Sequence, residues 1–440
     1  MHPKYFLAGA CVLLAHALAA AAPMTAQPAP PGDTRQTTQT MGAASAPLTL
    51  EQAVAKALAA NPGLRAAALD VAIADGLRRQ AGLLPNPEIS YVREGSQPGF
   101  RTQTVQVNQL IELGGKRAAR VRLADGERSL AAGKLRVARS DLRADVTTAF
   151  FDALGAQERV RLAQTSLEVA EKAATAAAKR VSAGRVSPVE QDRADVARAA
   201  ARVELAQAES DLSIAQHVLA AWWGETTPAA GALAMPELDL ASPPPLFELE
   251  QRLDASPQMR RARLQVEREE AQVSLDRSQR MPDLTLIVGN KKDDSIGRSQ
   301  TVLGVSVPLP LFNRNQGTLQ ASLVRADKAR AELDAERVRL HQGLATAYQR
   351  AQLSREQVRN MRDDILPAAQ RVFDSAVTGF EAGKFGFLDV IDAQRTLLQI
   401  RSQYIEALYD RYRAVAELSR YVDADAGADA STQAPYRIAP

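Results

Sequence analysis

Two periodicities alternate along this chain. From Lys116 to Ser182 apolar residues recur at helical spacing: Leu142, Val146, Ala149 and Ala153, then Leu162, Leu167 and Ala170. The opposite face carries Arg, Glu, Asp and Gln, and the run contains no proline. This predicts one helix of about 65 residues, about 100 Å long, which no compact domain needs. Elsewhere the period falls to two. In Asp283–Gly289, Leu284, Leu286 and Val288 share a face opposite Asp283, Thr285 and Gly289, with Ile287 the exception. In Val302–Val307, Leu303, Val305 and Val307 alternate with Gly304 and Ser306. In Thr102–Gln109, Val105 and Val107 alternate with Thr104, Gln106 and Asn108, and Glu88–Arg93 sets Ile89 and Tyr91 on one face. Period two means strand. Pro98-Gly99 and Asp293-Asp294-Ser295 stand where hairpin loops belong, so two hairpins and four strands are predicted.

A small soluble sheet packed on helices would account for the alternation alone. Two features oppose it. The polar faces carry Thr, Gln, Asn and Ser, as a wetted lumen would, and strands of about 7–10 residues can cross a bilayer when tilted. Four strands cannot close a barrel, because the smallest need about eight. A membrane barrel would therefore be shared between copies, and three copies would give about 12 strands.

The pattern occurs twice, with a period of about 195–199 residues. Asn61-Pro62 matches Ser256-Pro257, and Pro87-Glu88-Ile89-Ser90 matches Pro282-Asp283-Leu284-Thr285. The run from Val107 to Leu113 matches the run from Val305 to Leu311, and Ala183-Gly184-Arg185 matches Ala382-Gly383-Lys384. The period is too long for a solenoid unit and reads as a duplicated half-protein. Each half (48–225 and 246–422) runs helix, hairpin, long helix, Gly turn, helix, and a Pro-rich linker over 226–245 joins them. The helices are expected over Leu50 to about Leu83, 116–182 and Pro188 to about Trp223, then Leu246 to about Arg280, Gln316–Thr378 and Phe387–Val422. Thr49, with Gln52 three residues on, is the expected cap of the first.

Composition sharpens this picture. About 80 residues are Ala while aromatics make up 5% of the chain, so much helix is available but little to fill a thick core. Charged residues make up 24%, with a net charge of +3. That balance speaks against a nucleic-acid binder and against a disordered polyelectrolyte. Lys4, the apolar run Tyr5–Leu18 and the small residues Ala19–Ala22 read as a signal peptide over 1–22. A flexible leader follows over 23–47, and 423–440 is expected to be a loose tail. Ala8-Gly9-Ala10-Cys11 lacks the leading Leu of a lipidation site. The lone Cys is Cys11, and the His residues are His2, His16, His217 and His341. After cleavage near Ala22 the chain holds neither a disulfide nor a thiolate metal site. No nucleophile elbow, phosphate-binding Gly loop or His/Cys cluster is present, so no cofactor, metal site or catalysis is expected.

Leu48-Thr49-Leu50-Glu51-Gln52-Ala53 with Asn61-Pro62, and Leu84-Pro85-Asn86-Pro87 before the first strand, resemble the TolC-type outer-membrane efflux channels over about Leu48–Val422. Ile111-Glu112-Leu113-Gly114-Gly115-Lys116-Arg117, the run Val307–Asn315 and Phe380-Glu381-Ala382-Gly383-Lys384-Phe385 are most similar to the branch serving cobalt–zinc–cadmium exporters of the resistance–nodulation–division type. The resemblance implies a mainly α homotrimer in the Gram-negative outer membrane. Long antiparallel hairpins would form a periplasmic α-barrel below a 12-stranded β-barrel. It also implies a periplasmic adaptor (membrane fusion protein), an inner-membrane resistance–nodulation–division pump and contact with outer-membrane lipid.

The same resemblance places function at the two Gly turns. Gly184, Arg185, Ser187, Gly383, Lys384 and Gly386 are implied as adaptor-docking tips. Asp389 and Asp392 are implied as acidic rings, six carboxylates around one aperture, favouring cations and closing it. Glu190 is implied in a gating contact, with Phe380 and Phe385 where well-known members have more polar partners. Read from the residues alone, Ser187-Pro188-Val189-Glu190 is a capping box, and Ser187, Glu190 and Asp389 can also serve purely as helix caps. Three rivals stand beside a metal duct: a drug-efflux or protein-secretion channel of the same fold, a pore-less periplasmic coiled-coil adaptor, and an enzyme on a helical scaffold.

Overall fold

The computed structural model describes residues 47–422, apart from 96, 98, 185, 228–230, 237–240 and 383. The expected signal peptide, nearly all of the leader and the tail lie outside the described residues. The chain divides into units 1–45 and 46–440, and every described residue belongs to the second.

Helix α1 (Leu50–Ala60) opens on the expected box. Thr49 Oγ accepts from the Gln52 N–H at 3.3 Å, and the Gln52 side chain accepts from the Thr49 N–H at 3.1 Å. The helix expected to continue to Leu83 stops here instead. Asn61 is extended, as the residue before a proline tends to be, and its Oδ1 accepts from the Leu64 N–H at 2.8 Å. Pro62 then begins α2 (Pro62–Ala81). Strands β1 (Glu88–Glu94) and β2 (Thr102–Ile111) form the first hairpin. Gly114 and Gly115, at φ 70° and 72°, turn the chain into α3 (Lys116–Ser182). A Cβ on Gly114 would lie 2.6 Å from the Met281 Cβ, so both φ and space demand glycine. Helix α3 is unbroken for 67 residues, and α4 (Pro188–Ala221) returns along it.

The second half repeats the plan. Helix α5 (Leu246–Leu253) gives way to α6 (Pro257–Ser278), with Ser256 Oγ accepting from the Met259 N–H at 3.3 Å. The helix expected over 246–280 is thus also two, for the same X-Pro reason. Strand β3 (Leu284–Asp293) extends past the expected alternation through Asn290, Lys291 and Lys292, and β4 (Arg298–Ser306) begins earlier than expected. Helix α7 (Gln316–Asn360) reaches a π turn at Met361–Ile365, and α8 (Leu366–Glu381) and α9 (Phe387–Val422) complete the chain. The single helix expected over 316–378 is therefore interrupted, because Pro367 has no N–H to give the preceding turn.

Helices α2, α3, α6 and α7 pack in that lateral order, and the strands above them run β1-β2-β3-β4, all antiparallel. The two hairpins are one sheet, joined by β2 against β3 from Thr102↔Asp293 to Ile111↔Leu284. Towards the far ends α3 pairs with α4, and α8 with α9. The thickest packing lies midway. There Phe150, Phe151 and Leu154 meet Trp223, Leu233, Tyr409 and Tyr412, and Phe151 stacks on Tyr412 at 4.0 Å. A second cluster joins Leu249, Leu253 and Met259 to Leu340, Leu344 and Leu418. The linker is pinned to this belt. Leu233 exchanges hydrogen bonds with the Gln157 side chain, and buried Arg411 donates to the carbonyls of Ala351 and Ala241.

Candidate functional site

Antiparallel partners share a face, so the register sorts the sheet's side chains. One face carries Ile89 and Tyr91, Val105 and Val107, Leu284, Leu286 and Val288, and Leu303 and Val305. The other carries Ser90, Thr104, Gln106, Asn108, Thr285, Gly289, Gly304 and Ser306, with Val92, Leu110 and Val302 among them. Ile287, the exception to the alternation, sits on this polar face, 3.5 Å from where a Gly304 Cβ would be. The apolar face is bare: Ile89 and Leu303 are each 76% exposed. Gln109 and Asn290 also lie on this face, but in water so large an apolar patch would be a liability, and against lipid it is a requirement. Strands of 7, 10, 10 and 9 residues suit a tilted crossing. Among the described residues β1 and β4 each keep an unpaired edge. Among the described residues no helix is long and apolar enough to cross a membrane.

Salt bridges fix the join between sheet and helices. Lys116 pairs with Asp283 at 2.7 Å, and Arg120 grips Glu112 through both terminal nitrogens at 2.5 and 3.1 Å. Asp283 also accepts from the Leu113 N–H at 3.1 Å, so the start of β3 is fastened to the end of β2.

At the opposite end two turns form the tips. In the first, Gly184 takes φ 67°, and Ser187 Oγ accepts from the Val189 N–H at 3.4 Å ahead of Pro188. The bond reaches Val189 rather than Glu190, and no return bond from the Glu190 side chain forms among the described residues. The expected capping box is therefore not built, and Ser187 acts as a simple N-cap. In the second turn the Gly379 carbonyl accepts from the N–H groups of Lys384 and Phe385, at 2.8 and 3.2 Å. The Phe385 ring lies directly over Gly379, 2.1 Å from where a Cβ would stand. The Gly386 N–H donates to Asp389 Oδ2 at 2.8 Å, so this carboxylate caps α9 while remaining exposed. Asp392 is exposed one turn on, and its carbonyl accepts from Thr396 Oγ1 at 2.9 Å. Arg185 and Gly383 lie outside the described residues.

The tips also meet. Arg180 near the end of α3 lies over the Phe380 ring of α8, 4.6 Å from its centre. Phe380 thus faces the first hairpin's arginine, whereas Phe385 belongs to its own turn. Sequence reasoning passed over Arg180 and Gly379. The repeat held the signal, since the shift that puts Ala183 onto Ala382 puts Arg180 onto Gly379. Among the described residues no group of three or more His, Cys, Asp or Glu could hold a metal ion.

The profile described as "Outer membrane efflux protein" matches this chain twice, over residues 53–225 and 249–423. The chain belongs to the outer membrane efflux protein family. The two matches fall one on each half of the repeat. Among its relatives in this family, the "Cobalt-zinc-cadmium resistance protein CzcC" of Cupriavidus metallidurans is 42% identical over 378 residues, 86% of this chain and 90% of that protein. The "Nickel-cobalt-cadmium resistance protein NccC" of Alcaligenes xylosoxydans xylosoxydans is 27% identical over 64% of this chain and 65% of that protein. The fold is shared with solved outer-membrane proteins. CusC aligns with TM-score 0.72 at 19% identity, covering 86% of this chain and 92% of that one. The outer membrane protein VceC of Vibrio cholerae aligns with TM-score 0.70 at 20% identity, covering 85% and 95%. The protein is an outer-membrane efflux channel whose helices extend into the periplasm.

Proposed function

We propose that the chain acts as a homotrimeric exit duct for divalent heavy-metal cations, coupled through a periplasmic adaptor to a pump of the resistance–nodulation–division type. The observation carrying the duct is the sheet itself: four strands with a bare apolar face and two unpaired edges. Closing those edges against two further copies gives a barrel of about 12 strands and leaves no exposed ladder. The sheet's polar face then lines water. The cargo reading rests on the 42% identity to a cobalt-zinc-cadmium resistance protein.

In this reading the turns around Gly184 and Gly386, with Arg185, Ser187, Gly383 and Lys384, meet the adaptor. Asp389 and Asp392 of three copies ring the periplasmic aperture, and clustered carboxylates favour cations there. Phe380 with Arg180 joins the two tips, Glu190 takes part in the gating contact, and Phe385 serves it by holding the second turn in shape. Because Asp389 also caps α9, its neutralisation acts on both cap and ring, while Asp392→Asn acts on the ring alone.

A strain lacking the gene should become sensitive to cobalt, zinc and cadmium and unchanged towards dyes and detergents; the reverse pattern would assign a drug duct. Purified trimer should conduct in planar bilayers, and Asp389→Asn/Asp392→Asn should reduce cation preference and divalent block. Unchanged selectivity in the double variant would remove the ring.

A further inference from the structure

Where the strands give way to the helices, a cavity of about 830 Å³ is lined by four arginines: Arg122, Arg277, Arg280 and Arg314. They come from three segments. Arg122 is in the first turns of α3, Arg277 is in the last turn of α6 and Arg280 in the connection from α6 to β3, and Arg314 follows β4. Arg314 donates to the Pro310 carbonyl at 3.1 Å. Among the described residues no carboxylate pairs with any of the four. Their neighbours differ: Lys116 and Arg120 on the same helix are both paired, to Asp283 and Glu112. Four guanidinium groups around one cavity repel one another, and an oxyanion between them removes that cost.

A second observation places the anion's source. Beside the cavity the chain exposes Leu309, Leu311 and Phe312, the last 91% accessible, and Met281 is also exposed. A water-filled lumen offers no reason for such residues. The boundary of a bilayer does, because apolar side chains there meet acyl chains while arginines reach the headgroups. All the strand ends that join helices lie at this level. If the strands cross the outer membrane, it is the level of the periplasmic leaflet's phosphates. The cavity sits between α3 and α6, the middle pair of the four packed helices, whereas a neighbouring copy would meet the outer pair, α2 and α7.

We propose that this cavity is a binding site for an anionic phospholipid of the periplasmic leaflet. The arginine forks hold its phosphodiester, and Leu309, Leu311 and Phe312 lie along its acyl chains. The proposal rests on the reading of the strands as membrane-spanning. Arginine matches phosphate oxygens two at a time, so a phosphodiester can bridge neighbouring forks.

The test uses the purified full-length trimer in detergent. Native mass spectrometry would count phosphatidylglycerol, phosphatidylcholine and inorganic phosphate retained by the wild type and by Arg277→Gln/Arg280→Gln. The wild type should retain phosphatidylglycerol in preference to phosphatidylcholine, millimolar inorganic phosphate should not displace it, and affinity should fall about fivefold for each arginine removed. Equal retention by the double variant would overturn the site. Displacement by inorganic phosphate would make it a soluble-anion site and overturn the lipid. Altered ion selectivity in planar bilayers with unchanged lipid retention would put the arginines in the lumen, with the same consequence. If the double variant does not assemble, the two single variants are read in the same way. A wild type that conducts but shows no lipid preference defeats this inference alone; a wild type that does not conduct defeats the duct.

Discussion

Gly155 has no side chain because α9 leaves no room for one. A Cβ there would lie 2.9 and 3.1 Å from ring atoms of Tyr409, which is itself buried. Gly155→Ala should therefore overpack the central belt and destabilise the protein by about 1–3 kcal/mol, read as earlier chemical unfolding. An unchanged midpoint would mean that the ring slides freely. The sequence shows a glycine inside a helix; it does not show that Tyr409 stands over it. Asp141 teaches the same lesson. Its place among charged residues suggests a water-facing carboxylate, but burial pushes its carboxyl up from the ordinary value, opposed by Arg420 and aided by Asp145. A carboxyl raised in the folded state contributes stability that is full below the ordinary carboxylate range and is lost as pH rises through the raised value. Asp141→Asn should thus raise the melting temperature at about pH 7 and leave it little changed near pH 4. A drop at neutral pH would mean that the attraction of the nearby Arg420 charge outweighs the burial.

The two long helices of the repeat share a plan and differ in one element. Helix α3 has no proline; the α7–α8 segment has Pro367, and the Leu366 N–H reaches back to the Met361 carbonyl across a widened turn. The proline was visible in the sequence. The sequence alone hides its consequence, because the apolar period continues across it and α8 continues the helix once the missing donor is bypassed. Backbone amides at 361–366 should exchange with deuterium faster than those of the matching part of α3, and Pro367→Ala should slow them. Equal rates in wild type and variant would detach the π turn from the proline. The X-Pro pairs at Asn61-Pro62 and Ser256-Pro257 are equally visible, but the helical pattern resumes at once on the far side and masks the breaks. The strands were legible as alternation, but β3 runs on through Asn290, Lys291 and Lys292, where the apolar half of the pattern has ended and only pairing to β2 and β4 shows it.

At the scale of the whole molecule, the bare face of the sheet decides what the protein can be. Val288 stands between Val107 and Leu303 on that face, and Gln106 points to the other. Val288→Arg should cost about 2–4 kcal/mol of barrel stability if it lies near mid-membrane, read as loss of heat-modifiable trimer from outer-membrane fractions. Gln106→Arg should assemble normally and alter conductance. If both assemble equally well, the faces have been assigned the wrong way round. The tips make a matching pair of tests. Removing the Phe380 ring by Phe380→Leu should loosen the Arg180 contact between the hairpins and raise the resting conductance of the trimer. Gly379→Ala should disturb the second turn alone, by driving Phe385 off its seat.

The sequence by itself determined the repeat, the order of elements and the membrane-suited alternation of the strands. These depend on local period and on proline and glycine, which act within a few residues. It also held the family resemblance that named Asp389 and Asp392. Only the tertiary structure joined the two hairpins into one sheet, gathered the few aromatics into a belt around the linker, set Arg180 against Phe380 and brought around one cavity four arginines that no carboxylate among the described residues pairs with. Each of these joins residues that lie far apart in the chain. Which distant partners meet is set by the packing of whole helices and by strand register, and no local pattern encodes it.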